Sequence, residues 1–272
     1  MKRFLIIIAA VALGVFALSA CGNKDNPQQE EEQQDMWDRM YPNGKEIKDL
    51  EIKSTAMKQT MRYSVWLPPK FKAENSYPIL YLLHGAGDDN NSWLSNTTQY
   101  GMTHGGNAAA IAAKYVKANG VPMIIVMPDA QMTFYMNEFE TYLHNELMPK
   151  VESEYKFSGK RAVAGLSMGG FGTLYHALKY PEKFTYAYAM SPACDASMAE
   201  MVTDPKILPG ITVETGEADT TTPMSGITPF VEAMRAKGVN MEYITVPKYG
   251  HEWTFWRACL PHALQKAGES FK

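Results

Sequence analysis

Short apolar runs alternate with stretches of helical periodicity along the chain from about residue 48 onwards. Residues 77–83 and 123–128 are continuous apolar runs, which is typical of strands buried on both faces of a sheet. Residues 137–154 place apolar side chains at three- and four-residue spacing, which predicts a helix. Further strands are predicted at 62–68, 161–165, 186–190, 211–214 and 241–246, and further helices at 171–179, at 229–237 and from near Glu252.

This alternation of strands and helices predicts the α/β class, with a mostly parallel central sheet and helices on both faces. In such sheets the chemistry gathers beyond the carboxyl ends of the strands. A chain of 272 residues with 46% hydrophobic and 20% charged residues can bury one large core. The formal net charge of −3 offers no basic surface, so we expect no nucleic-acid partner.

The first twenty residues have the pattern of an export signal. Two basic residues precede an apolar run at 4–18, which is shorter than the roughly 20 residues of a membrane-spanning helix. The run ends at Leu18-Ser19-Ala20-Cys21, which resembles the processing box of bacterial lipoproteins, where the cysteine receives lipid. An ordinary signal peptide or a short anchor with a chance cysteine is the alternative. We therefore expect residues 1–20 to be removed and Cys21 to anchor the protein to a membrane.

Residues 22–35 are polar, acidic and free of aromatic side chains, so they cannot bury enough apolar surface to order themselves. Residues 21–45 are accordingly predicted to be a flexible acidic tether, and residues 46–272 the folded α/β domain. Acidic residues directly after the lipidated cysteine resemble surface-export signals of some Gram-negative gut bacteria. The expected location is the outer membrane of the cell envelope, facing either the periplasm or the surface.

Two cysteines remain, Cys194 and Cys259. In an oxidising compartment they could form a disulfide, or they could stay as buried thiols, and the sequence leaves both open. No cluster of Cys and His has the spacing of a zinc site, so neither a metal nor a cofactor is expected.

The segment Gly165-Leu166-Ser167-Met168-Gly169 matches the G-x-S-x-G pattern of a nucleophilic serine. Glycines are needed there because side chains two residues to either side of the serine would collide with the neighbouring strand and helix. The first amides of the following helix point toward developing negative charge. A tight structural turn is the simpler explanation of the motif. The apolar run before it and the predicted helix after it favour Ser167 as the nucleophile.

Hydrolases with this motif carry the acid and then the base after the serine in chain order. Of the six histidines, His251 and His262 lie beyond the later predicted strands. His251 follows the strand at 241–246 in a loop, where a base is expected, whereas His262 falls within the predicted last helix. We therefore predict His251 as the general base.

Asp219 is the best candidate for the acid that orients the base, because it comes just after the strand at 211–214. A carboxylate there can accept a hydrogen bond from the imidazole and fix its tautomer. Asp195 is the rival, because some hydrolases carry the acid one strand earlier. Glu217 is a third candidate, and Glu252 is too close to His251 in sequence. A single Asp in a loop is more often a turn or N-cap residue.

The predicted strand at 77–83 ends in His84-Gly85-Ala86-Gly87, where small residues allow a close approach to a substrate carbonyl. In these hydrolases the oxyanion donors come from this turn and from the residue after the nucleophile. The predicted donors are therefore the backbone N–H groups of Ala86 and Met168. His84 precedes the serine in the chain and is expected to hold the turn.

Several segments together resemble the esterase D branch of the α/β-hydrolases, which includes feruloyl, acetyl-xylan and siderophore esterases and formylglutathione hydrolases. These segments are 81–85 with Trp93, 123–128, 146–152, 165–170, and 250–253 with Trp256. The resemblance implies the α/β-hydrolase fold and a triad of Ser167, Asp219 and His251, and thus favours Asp219 over Asp195. It implies the same two oxyanion donors.

Within that branch, Gly250-His251-Glu252-Trp253 with a second Trp is most similar to feruloyl esterases that act on plant cell-wall polysaccharide. The resemblance thus implies an acylated plant polysaccharide or oligosaccharide as substrate. The segments after residues 128 and 191 are short, so no large lid is expected. Phe134, Tyr135 and Trp253 are candidates for the apolar walls of an acyl pocket, or for plain core.

Other functions stay open at this point. The same machinery serves acetyl-xylan, siderophore and other short-acyl esterases, and acyltransferases share the Gly-Leu-Ser-Met segment. A formylglutathione hydrolase is disfavoured, because its thiol substrate is cytoplasmic whereas this chain carries an export signal. A surface lipoprotein that only binds glycan is the non-enzymatic alternative.

Overall fold

The computed structural model describes residues 27–99 and 101–272, in two units divided after Pro42. The first unit contains helix α1 (Pro27–Met40), rich in Glu and Gln. Part of the predicted tether is therefore helical, because Glu and Gln favour the helix even without an apolar face to bury. The signal segment and Cys21 lie outside the described residues. Within the described ranges, no helix is both long and apolar enough to cross a membrane.

Ten strands are described, eight of which form one sheet in the second unit. They are β1 (Lys45–Ser54), β2 (Gln59–Leu67), β3 (Tyr77–Leu83), β4 (Thr97–Gln99), β5 (Met102–His104), β6 (Ile124–Pro128), β7 (Phe157–Leu166), β8 (Tyr186–Met190), β9 (Gly210–Gly216) and β10 (Met241–Val246). The sheet order is β1-β2-β6-β3-β7-β8-β9-β10, and β4 and β5 form a separate antiparallel hairpin.

Strand β2 runs antiparallel to both of its neighbours, and the strands that follow it in the sheet, β6-β3-β7-β8-β9-β10, are parallel to one another. The mostly parallel sheet confirms the predicted α/β class. The strands at the centre are buried along their whole length, as in β3 and β6. Because the parallel strands share one direction, the loops that follow them gather at one edge of the sheet.

The remaining α-helices of the described chain are α2 (Ala108–Lys117), α3 (Glu138–Tyr142), α4 (Met148–Glu154), α5 (Met168–Lys179), α6 (Met224–Ala236) and α7 (Trp253–Ser270). A π-helical turn, Leu143–Leu147, joins α3 to α4, and short 3₁₀ turns cover Pro181–Lys183, Ala196–Met201 and Pro205–Ile207.

Helices cover both faces of the sheet. Helices α2 and α7 pack in one apolar core with Ala164 and Leu166 of β7. Gly165, between those two residues, faces the other side and touches α5, since a Cβ there would lie 2.4 Å from the Gly169 carbonyl oxygen. Side chains alternate between the faces of a strand, so α5 lies on the face opposite α7.

Four parts of the described chain differ from the sequence-based prediction. Strand β1, helix α2 and the β4–β5 hairpin were not predicted, because β1 is rich in charged residues, half of α2 is alanine and the hairpin strands have three residues each. Helix α6 begins at Met224, ahead of the predicted start at 229, and Pro229 lies inside its first two turns. Pro229 is the sixth residue of α6 and has no amide proton, so the helix lacks one backbone hydrogen bond in its second turn.

Candidate active site

Ser167 lies in a sharp turn between β7 and α5, at the carboxyl edge of the sheet. Its φ of 53° and ψ of −114° form a conformation that L-residues rarely adopt. The flanking glycines permit this turn, since a Cβ at Gly169 would lie 2.4 Å from the Leu83 carbonyl oxygen. The turn is hydrogen-bonded to the next strand, because the Ser167 amide donates to the Met190 carbonyl oxygen at 2.9 Å.

His251 connects Ser167 to Asp219 through two hydrogen bonds. The His251 Nδ1 atom lies 2.7 Å from Asp219 Oδ2, and Nε2 lies 2.9 Å from Ser167 Oγ. The carboxylate accepts the Nδ1 proton, so Nε2 is free to accept the serine hydroxyl proton. Asp219 follows β9 and His251 follows β10, two neighbouring parallel strands, which brings residues distant in sequence into contact.

The Asp219 carboxylate is enclosed, with its side chain fully buried. Its Oδ1 atom accepts the amides of Thr221 at 2.9 Å and Thr222 at 2.8 Å. Burial acts to raise the pKa of Asp219, but the hydrogen bonds from His251 and Thr222 outweigh it and hold the pKa below its ordinary value. Asp219 is therefore a charged acceptor for the imidazole at neutral pH.

The rival residues lie elsewhere. Asp195 is exposed and caps a 3₁₀ turn by accepting the Ser197 amide at 2.8 Å. Glu217 is exposed and accepts the Thr245 hydroxyl at 3.1 Å. His262 lies in α7 with 56% of its side chain exposed, and its Nδ1 atom is 3.5 Å from Glu214. The structure brings Asp219 and His251 to Ser167, and it does not bring these three residues there.

The two predicted oxyanion donors lie beside Ser167. Met168 is the first residue of α5, where helix amides have no partner within the helix. Ala86 lies in a turn closed by a hydrogen bond from the Asp88 amide to the Gly85 carbonyl oxygen at 3.2 Å. A Cβ at Gly85 would lie 2.5 Å from Leu166 Cδ1, so a side chain there would displace Leu166, the residue before the serine.

His84 braces the turn from behind. Its Nδ1 donates to the Gly85 carbonyl oxygen at 2.7 Å, and its Nε2 accepts the Ala130 amide at 2.9 Å. Tyr135 adds a further bond, because its hydroxyl donates to the His84 carbonyl oxygen at 2.9 Å. Both side chains are buried. They hold the turn in place and do not reach a ligand.

A cavity of about 500 Å³ opens in front of Ser167. Residues that line it include Ala86, Asp88, His104, His251, Trp253 and Trp256. Trp253 stands edge-on against Trp93, with ring centroids 5.2 Å apart, and so forms a fixed aromatic wall. The β4–β5 hairpin also lines the cavity, and its His104 ring lies 6.1 Å from the Trp253 ring. Arg257 holds the hairpin, because its Nε donates to the Gly105 carbonyl oxygen at 2.6 Å.

Of the three predicted wall residues, only Trp253 lines this cavity. Tyr135 was a candidate for the cavity wall or for the core. It is fully buried and its hydroxyl donates to the His84 carbonyl oxygen, so it belongs to the core and not to the wall. Phe134 packs edge-on against Phe171 at 5.8 Å and is 37% exposed, outside the cavity. Sequence reasoning missed His104 on the hairpin, where strands of three residues give little periodic signal.

The cavity has an acidic character. Asp88 and Glu252 line it, and none of its described lining residues is Lys or Arg. Burial raises the pKa of Asp88. Among the described residues, no group of three His, Cys, Asp or Glu side chains could hold a metal ion. Cys194 and Cys259 are free thiols, so the disulfide that the sequence left open is not formed.

Comparisons with known proteins agree with this geometry. The Esterase family matches residues 54–267. An endo-1,4-beta-xylanase/feruloyl esterase of Xylanibacter ruminicola is 32% identical over 205 residues, which is 71% of this chain and 26% of that protein. The chain spans about a quarter of the length of the curated relatives it matches.

Solved structures support the fold. A ferulic acid esterase superimposes with a TM-score of 0.74 at 24% identity, covering 84% of this chain and 99% of that one. A ferulic acid esterase from Anaeromyces mucronatus, in complex with ferulic acid, superimposes with a TM-score of 0.68 at 19% identity, covering 84% and 92%. The chain therefore has the α/β-hydrolase fold that the resemblance implied.

Proposed function

This chain belongs to the Esterase family, and from that premise we propose that it is a serine carboxylesterase whose triad is Ser167, His251 and Asp219. The observation that carries the proposal is the continuous hydrogen-bonded chain from the Asp219 carboxylate through His251 to Ser167 Oγ. The fold itself does not need a serine in a strained turn with a base 2.9 Å from its hydroxyl. Acyl transfer does need this arrangement, because the base must take the serine proton.

In the first step, Ser167 Oγ attacks the ester carbonyl carbon while His251 Nε2 takes the hydroxyl proton. The carbonyl oxygen becomes negative and is bound by the amides of Ala86 and Met168. When the intermediate collapses, the bond from carbon to the alcohol oxygen breaks, and His251 gives its proton to the leaving alcohol. Water then attacks the acyl-enzyme by the same route, with His251 again as base, and releases the acid.

We propose a hydroxycinnamoyl ester as the substrate, with ferulate linked to plant cell-wall polysaccharide as the preferred case. The cavity of about 500 Å³ has the size of a typical small-ligand pocket and exceeds what an acetyl group needs. The aromatic wall at Trp253 suits a planar acyl group. The Xylanibacter ruminicola relative, which carries both xylanase and feruloyl esterase in its name, supports this choice.

We propose that the protein lies outside the cytoplasm, anchored to a membrane by a lipid attached to Cys21. Residues 1–20 would be the signal peptide, and the acidic segment after Cys21 would separate the membrane from the catalytic domain at 46–272. An ester on an extracellular polysaccharide is accessible from such a position. Labelling with a radioactive fatty acid tests this in a bacterial host, with Cys21→Ser as the unlabelled control.

A panel of esters tests the proposed function. The protein should hydrolyse methyl ferulate and a feruloylated arabino-oligosaccharide with a higher kcat/KM than p-nitrophenyl acetate, and Ser167→Ala should remove all three activities. Preference for the acetate would point to a short-acyl esterase. Unchanged hydrolysis by the Ser167→Ala variant would overturn the assignment of the nucleophile.

A further inference from the structure

Besides His251, one side chain donates to the acid of the triad. Thr222 follows Asp219 on the same turn after β9, and its side chain is buried. Its hydroxyl oxygen lies 3.0 Å from Asp219 Oδ2, 3.1 Å from the Ser191 carbonyl oxygen and 3.3 Å from His251 Nδ1. The hydroxyl thus touches the acid, the base and the end of strand β8 at once.

A hydroxyl has one proton to donate, and an ionised carboxylate is a stronger acceptor than a neutral carbonyl. The Thr222 proton therefore goes to Asp219 Oδ2, the same oxygen that accepts the His251 Nδ1 proton. Oδ1 is already occupied by two backbone amides. With both oxygens held, the carboxylate cannot rotate about its Cβ–Cγ bond without losing hydrogen bonds.

We propose that Thr222 is a positioning residue of the triad, whose hydroxyl fixes the Asp219 carboxylate against His251. This proposal rests on the proposed esterase function. The hydroxyl fixes the direction of the Nδ1–H bond, and with it the direction in which Nε2 faces Ser167.

The experiment compares Thr222→Val, which keeps the shape without the hydroxyl, with Thr222→Ser, which keeps the hydroxyl. Thr215→Val is the matched control, because Thr215 is buried on β9 and its hydroxyl has no hydrogen-bond partner among the described residues. Each variant is assayed for kcat and KM with p-nitrophenyl acetate and methyl ferulate. Circular dichroism and thermal unfolding verify that each variant is folded.

We expect Thr222→Val to lower kcat about tenfold on both esters with KM unchanged, the value of one charge-assisted hydrogen bond. Thr222→Ser should restore kcat, and Thr215→Val should match the wild type. If Thr222→Val does not fold, Thr222→Ala with the same readouts replaces it.

Two outcomes overturn the proposal: wild-type kcat in the Thr222→Val variant, or an equal loss of kcat in Thr222→Ser. The first would make the hydroxyl irrelevant to the base. The second would make the contribution one of packing alone. An inactive wild-type protein would contradict the proposed function itself, a result distinguishable from either of these.

Discussion

The indole of Trp256 stands edge-on against the imidazole of His251, with ring centroids 5.0 Å apart and planes at 89°. Trp256 belongs to α7, and its Nε1 atom lies 3.4 Å from Ser191 Oγ at the end of β8. The ring therefore lies between the loop that carries the base and the core of the domain. It confines the imidazole from the side that the hydrogen bonds to Asp219 and Ser167 leave open.

We expect Trp256→Ala to lower kcat on every ester, because the imidazole can then leave the line between Asp219 and Ser167. The loss should be on the order of tenfold to a hundredfold, as for other misplaced catalytic groups. Trp256→Phe keeps an aromatic edge against His251 and should retain most of the rate. Steady-state kinetics on p-nitrophenyl acetate measure this, and equal activity in the Ala and Phe variants would contradict the confining role.

Trp253 and Tyr135 should respond differently to substitution, since one lines the cavity and the other lies behind the oxyanion turn. Trp253→Ala should raise KM for methyl ferulate more than for p-nitrophenyl acetate, because an apolar wall for the aromatic acyl group is lost. Tyr135→Phe leaves the His84 carbonyl oxygen without its donor, and should cost about 1 kcal/mol of unfolding free energy.

The ratio of kcat/KM for the two esters separates these roles. Tyr135→Phe should leave that ratio unchanged while lowering both values, whereas Trp253→Ala should change it. A changed ratio in Tyr135→Phe would mean that this side chain reaches the substrate after all.

Asp88 should select against negatively charged acyl groups. A Cβ added to Gly85 would lie 3.1 Å from Asp88 Oδ2 and 3.6 Å from Ser167 Cβ, so the Asp88 carboxylate is close to the serine. The wild-type protein should prefer p-nitrophenyl butyrate to p-nitrophenyl hemisuccinate, which has a similar length and a negative charge. Asp88→Asn should reduce the ratio of kcat/KM for the butyrate to that for the hemisuccinate several-fold, equivalent to about 1 kcal/mol of charge repulsion.

Salt provides the control for that prediction. Added sodium chloride screens the repulsion and should narrow the wild-type preference more than that of Asp88→Asn. An equal effect of salt on both proteins would place the source of the preference elsewhere, with Glu252 as the next residue to replace.

Glu140 should make the free energy of unfolding depend on pH in the acidic range. Burial acts to raise its pKa, but hydrogen bonds from Lys179, Tyr175 and Tyr180 outweigh it and lower the pKa to about 2. Because the folded pKa lies below the unfolded one, the stabilisation is complete above the unfolded value of about 4.3. This stabilisation is lost as the pH falls from the unfolded pKa through the pKa of Glu140 in the folded protein.

Glu140→Gln tests this by urea unfolding at several pH values. The difference in unfolding free energy between wild type and Glu140→Gln should be largest near neutral pH and should shrink below about pH 4. Glu154→Gln is a suitable control, because Glu154 is an exposed carboxylate of α4 that pairs with Lys150 of the same helix and lies on a different helix from Glu140. A difference that stays constant with pH would mean that the hydrogen bonds do not favour the charged form.

Periodicity alone predicted the strands that end at the active edge. Strands β3, β8 and β10 have the predicted bounds, because their apolar runs are continuous or bounded by turn residues. The elements that sequence missed have weak patterns. The alanines of α2 become a buried face only against α7, and Pro229 suggested a helix start that lies further upstream.

The sequence alone predicted the order of the candidate residues: a small-residue turn, a serine between glycines, and then an aspartate and a histidine each just after a strand. Local patterns can specify these because they depend on strand ends and glycines. Which side chains meet in the cavity depends on the tertiary structure. Tyr135 points into the core, His104 arrives on a short hairpin and Thr222 touches Asp219, because such contacts depend on how distant elements pack.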